Sequence, residues 1–174
     1  MKAIAFAKYG KPTLLMKTEM PYPHGFDASK NVVIKVHASS VNPVDKILLS
    51  GDLKLVFPVA EFPHVISYDV AGVVEKADSK GVFSVGQPVF ARVWGDVDDD
   101  KKTPWFRGAM AEFCVARTSD VVTKPDSISF EEAASIPLAG MTAFQVLKES
   151  GLKEGDSVFI SGGYSSVHSA SKYS

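Results

Sequence analysis

Cysteine is almost missing from this chain of 174 residues: Cys114 is the only one. One thiol excludes an intramolecular disulfide framework and fits a reducing compartment, so a cytoplasmic location is expected. Charge imbalance is missing too. Nineteen basic residues stand against twenty acidic ones, a formal net charge of -1, which removes the electrostatic footprint of a protein that binds nucleic acid or an anionic membrane surface. No apolar run approaches the roughly 20 residues that a membrane helix needs. Met1-Lys2-Ala3-Ile4-Ala5-Phe6-Ala7 is too short for a signal peptide and reads as a first strand. His24, His37, His64 and His168 show no metal-ligand spacing, which marks them as packed or surface histidines. The acidic group Asp96, Asp98, Asp99 and Asp100 runs directly into Lys101 and Lys102, the pattern of a solvated loop.

What is present is a succession of short strands. Val32, Ile34 and Val36 fall on one face of an extended segment and Val33, Lys35 and His37 on the other, the period of two expected in a half-buried sheet. Further strands are expected at Val70 to Glu75, Val89 to Val93 and Glu112 to Ala116, with turns at Gly51-Asp52, Gly81, Gly86 and Pro88. This spacing favours a barrel-like β-domain over alternating βαβ units. Cys114 lies within the last of these strands, as a buried structural thiol.

The pattern changes near residue 129. Ser129-Phe130-Glu131-Glu132 has the spacing of a capping box, so a short helix through Ala133 and Ala134 should follow and end before Pro137. A second helix is expected from about Gly140 to Ser150, stopped by Gly151. A turn at Lys153-Glu154-Gly155-Asp156 then leads into a strand, Asp156 to Ser161, and on to Gly162-Gly163, where a phosphate-cradling turn would open. The fold class expected is therefore mostly β with an α/β extension.

Four ordered segments carry a resemblance. They are Val36-His37-Ala38-Ser39-Ser40-Val41-Asn42-Pro43-Val44-Asp45, Tyr68-Asp69-Val70-Ala71-Gly72-Val73-Val74, Gly108-Ala109-Met110-Ala111-Glu112-Phe113 and Ser129 through Ala143. The first three resemble the medium-chain dehydrogenase/reductase superfamily, and the fourth is similar to its zinc-independent quinone oxidoreductase branch. The resemblance implies a GroES-like β-barrel catalytic domain over residues 1–128. Residues 129–174 would be the connecting helices and first strand of an incomplete Rossmann domain. It also implies NADPH as cofactor and a quinone or an α,β-unsaturated carbonyl as substrate.

Site residues follow from the matching positions. Asn42 stands where the zinc-dependent branch has its first catalytic cysteine, and one cysteine cannot build that branch's four-thiolate lobe site, so no zinc is expected. In hydride transfer to a quinone or enone, negative charge gathers on the substrate oxygen, and the Asn42 amide can stabilise it. Asn before Pro43 is equally a helix-cap arrangement. Asp45 can orient Asn42, touch substrate or cap the same helix. Tyr68 can wall the pocket and reach a carbonyl oxygen with its hydroxyl, or simply be a half-buried tyrosine at a strand start. Thr142 matches a residue facing the nicotinamide, and Gly162 and Gly163 would cradle its pyrophosphate.

Two departures from the family pattern stand out. Ile66-Ser67 replaces the usual Pro-Gly, so a side chain occupies a position suited to positive φ. Ser165-Ser166-Val167-His168 replaces the glycine-rich run that lets backbone approach pyrophosphate. The stretch after it lacks the apolar period of a Rossmann helix. Two functions are therefore expected as alternatives. One is a reductase represented by its catalytic domain, with little nicotinamide affinity in the isolated chain. The other is a truncated, non-catalytic remnant that forms a homo-oligomer or pairs with a full-length relative through sheet edges.

Overall fold

A computed structural model describes residues 1–56, 58–59, 61–93 and 108–159. Its strands are β1 (Lys2–Phe6), β2 (Met16–Glu19), β3 (Asn31–Ser40), β4 (His64–Val65), β5 (Asp69–Lys76), β6 (Pro88–Arg92), β7 (Phe113–Arg117) and β8 (Val121–Thr123). Its α-helices are α1 (Pro43–Ser50), α2 (Phe130–Ala134) and α3 (Pro137–Ser150). The strands form two antiparallel sheets, one ordered β2-β1-β4 and the other β7-β3-β5-β6-β8. Backbone bonds between β1 and the residues before β7 stitch the sheets together: Ile4 donates to Met110 at 2.8 Å and Glu112 to Lys2 at 3.0 Å.

Alternation places the core. Val32 and Ile34 of β3 join Val70 and Val74 of β5, Val89 of β6 and Cys114 of β7 in the main apolar cluster. Val33 turns the other way but is also buried, because Tyr22, Phe26 and Phe113 cover it together with Val115. The β3–β5 register shifts twice, between Val33 and Ile34 and between Val36 and Ala38. Gly72 sits opposite the second irregularity, and a Cβ there would lie 2.1 Å from the Lys35 carbonyl oxygen. Only glycine lets the two backbones approach so closely.

The Ser129 capping box forms as expected. Ser129 N–H donates to Glu132 Oε2 at 2.7 Å, and Glu132 N–H donates to Ser129 Oγ at 3.1 Å. Ala133 and Ala134 of α2 pack with Ala71. Helix α3 begins at Pro137, three residues before the expected start, because proline's fixed φ suits the first helical position as well as it ends the preceding helix. Gly151 closes α3 in the left-handed conformation, φ 69°. The turn after it forms, with Asp156 N–H donating to Lys153 O at 3.0 Å. Residues 156–159, the described part of the expected final strand, form no strand among the described residues, and Phe159 is 93% exposed. Gly162 and Gly163, the Ser165–His168 run and the acidic group at 96–100 lie outside the described residues.

Candidate functional site

The site is built where β3 runs into α1. Asn42 is the N-cap of that helix, Pro43 occupies its first position, and Asp45 its third. Asp45 reaches back so that its Oδ2 accepts from Asn42 N–H at 2.6 Å. Its Oδ1 accepts from Ser67 N–H at 3.1 Å. Both oxygens thus hold backbone, and Asp45 is 1% exposed. The helix stays in place because Leu48 and Leu49 are buried and Gly51 ends it in the left-handed region, φ 79°.

The Asn42 side chain is held by a residue that sequence reasoning did not single out. Its Nδ2 donates to Asp69 Oδ2 at 2.9 Å. Ser40 Oγ donates to the same oxygen at 3.0 Å. The other oxygen, Asp69 Oδ1, accepts from Leu138 N–H at 3.1 Å. Asp69 is fully buried. One carboxylate therefore ties the end of β3, the cap of α1 and the first turn of α3 together.

Burial pushes both carboxyls above their ordinary range. For Asp69 the donors Asn42, Ser40 and Leu138 pull in the opposite direction, as does the charge of Arg92. For Asp45 the N–H donors of Asn42 and Ser67 pull down while the nearby Asp69 adds to the rise.

Ser67 adopts φ 73°, the left-handed conformation expected where the family pattern has glycine. Its hydroxyl donates to Ser40 O at 2.6 Å and lies 2.6 Å from Ser39 Oγ. These contacts hold the side chain in a backbone region that serine seldom visits.

Tyr68 is 7% exposed in the main cluster, with its hydroxyl 3.2 Å from His64 Nε2. His64 is itself a packed histidine, with its ring 5.4 Å from that of Phe6. Thr142 is exposed on α3 and donates to Leu138 O at 2.8 Å within its own helix. The structure thus unites Asn42 with Asp45, and links the helix that bears Thr142 to them through Leu138 and Asp69. Around α3 an apolar groove of about 340 Å³ lies open, lined by Phe90, Val122, Ile136, Met141 and Phe144 among others. Phe144 is 67% exposed.

Among the described residues no group of three or more His, Cys, Asp or Glu side chains is placed to hold a metal ion. Nor is any described helix long and apolar enough to cross a membrane. Cys114 is buried, and burial pushes its thiol up to about 12.

Comparison with known proteins matches residues 28–126 to the alcohol dehydrogenase GroES-like domain. The mitochondrial NAD(P)H oxidoreductase RTN4IP1 of Homo sapiens is 34% identical over 167 residues, covering 87% of this chain and 39% of the relative. The 2-methylene-furan-3-one reductase of Solanum lycopersicum is 34% identical over 172 residues, covering 97% and 42%. Among solved structures, the quinone oxidoreductase from Coxiella burnetii superposes with a TM-score of 0.73 at 30% identity, covering 90% of this chain and 47% of that one. Mycobacterial Rv1454c complexed with NADPH gives 0.74 at 31% identity, covering 94% and 46%. The chain spans about two-fifths of the length of the curated relatives it matches.

Proposed function

Since the chain belongs to the alcohol dehydrogenase GroES-like domain family, among quinone oxidoreductase-like members of the medium-chain dehydrogenase/reductase superfamily, we propose that it supplies the substrate side of an NADPH-dependent reduction. The substrate is a quinone or an α,β-unsaturated carbonyl. The observation that carries this reading is the fixed carboxamide of Asn42.

A bound nicotinamide would supply hydride. The task left to this chain is to stabilise negative charge on the substrate oxygen while a proton is added. A preorganised N–H does this with no reorganisation at the moment of reaction. Asn42 Nδ2 carries two N–H bonds: the first is given to Asp69 at 2.9 Å, with Ser40 Oγ 3.5 Å away on that same side, and the second diverges from both. That second N–H is the donor for a substrate oxygen. Asp45 holds the cap from which Asn42 projects, and in this reading Tyr68 would wall the apolar part of the substrate.

This reading puts a nicotinamide on the α3 side. The Thr142 hydroxyl is exposed and, bonded within its own helix, keeps acceptor capacity for a bound group. Backbone N–H groups at Gly162 and Gly163 would meet the pyrophosphate, and the serine-rich run that follows them makes tight dinucleotide binding by the isolated chain unexpected. Zinc has no part in this reading, because the donor set at Asn42 is an amide and two carboxylates already spent on N–H and O–H groups. A cytoplasmic location belongs to the same reading, supported by the single buried thiol.

The test is calorimetric titration of the chain with duroquinone and with cyclohex-2-enone, wild type against Asn42→Ala. Saturable binding by the wild type, weakened about 2–10-fold in the variant as the loss of one neutral hydrogen bond implies, is expected. Equal binding by both proteins, or none by either, would overturn the assignment.

A further inference from the structure

Asp69 is buried, and the three hydrogen bonds that its carboxylate accepts come from three different elements. Oδ2 takes the Asn42 side chain on α1 and the Ser40 hydroxyl on β3. Oδ1 takes the Leu138 N–H at the start of α3. These partners lie 27, 29 and 69 positions away in sequence. A buried carboxylate held by several donors is costly to break and geometrically exacting, since removing it leaves each donor unsatisfied.

We infer that Asp69 is a positioning residue: it sets the direction of the Asn42 carboxamide and registers it against helix α3, which carries Thr142 one turn beyond Leu138. This inference rests on the proposed reductase reading for its purpose, and on the hydrogen bonds alone for its geometry. As an acceptor on both oxygens, ionised Asp69 requires Asn42 to present Nδ2, so the amide orientation is dictated by the carboxylate. Protonated Asp69 would place a donor on one of those oxygens, and the Asn42 orientation and the Leu138 contact would loosen together. The charged groups that face it are Asp45 from α1 and Arg92 from β6.

The test needs no bound ligand. In the isotope-labelled 174-residue chain, the side-chain amide signals of Asn42 and the backbone amide signal of Leu138 are followed by NMR while pH is lowered. The expected result is that they shift together with one midpoint above the ordinary carboxylate value, and that Asp69→Asn abolishes the shared transition. Independent midpoints in the wild type, or an unchanged Asn42 transition in Asp69→Asn, would overturn the inference. The wild-type titration decides the matter even if the variant does not fold. Duroquinone is added in a second arm. A coupled pH transition without any duroquinone response at Asn42 overturns the substrate assignment instead, so the two failures are distinguishable.

Discussion

The side-chain amide of Asn42 donates to the Asp69 carboxylate at 2.9 Å, joining the cap of α1 to the first residue of β5. Asn42→Ala removes a donor from a buried carboxylate and should cost about 1–3 kcal/mol of stability. Asn42→Asp, which sets a second negative charge against Asp69, should cost more at neutral pH and recover on acidification. Urea unfolding of the three proteins at two pH values checks both.

Asp45 and Asp69 both have folded-state pKa values raised, chiefly by burial. The folded state therefore binds more protons than the unfolded chain above the ordinary value of 3.8. Stability from these two groups is greatest below that value and falls as pH rises through the raised folded values. Asp69→Asn should flatten this segment of the stability profile. Asp27 and Asp78 are shifted downward and act in the opposite sense, so the comparison is made as wild type minus variant.

Ser67 sets two effects against each other. Replacing it by glycine relieves a left-handed backbone strain of about 1 kcal/mol or more, but removes hydroxyl contacts to Ser40 and Ser39 worth about 0.5–1.5 kcal/mol each. Ser67→Gly should therefore lie within about 1 kcal/mol of the wild type. Ser67→Val loses the same contacts and puts a branched side chain at φ 73°, so it should cost about 2–4 kcal/mol. Thermal unfolding of the pair separates the terms.

Cys114 is held as an unreactive thiol, since burial pushes it up to about 12. Ellman's reagent should find no thiol in the native protein at mildly alkaline pH and one per chain after denaturant is added. Rapid native labelling would mean that β7 opens far more readily than its place in the main core implies.

Local signals were legible in the sequence and long-range ones were not. Ser129 and Glu132 sit three residues apart and satisfy one another, so their helix start could be read directly. The α1 cap at Asn42, set before Pro43, was readable for the same reason, whereas the left-handed Ser67 was legible only against the family pattern, which has glycine there. The short helix ends before Pro137 as expected, but the start of α3 was placed too late, because a residue that ends one helix also suits the first position of the next. Strand β2, Met16–Glu19, escaped notice because it is an edge strand with no buried residue to mark a face. Asp69 escaped because nothing near it in sequence explains a carboxylate at the head of an apolar strand. Its partners are Ser40, Asn42 and Leu138, which only the fold assembles.

The most direct measurement is the NMR response of the wild-type chain to duroquinone at fixed neutral pH, read at the Asn42 side-chain amide. A saturable shift there, accompanied by Tyr68 and absent from β8, is expected of a substrate oxygen docking on the capped end of α1. No shift at Asn42, or shifts confined to the groove around Phe144 and Met141, would contradict the substrate-side assignment and point to a surface that serves assembly rather than reduction.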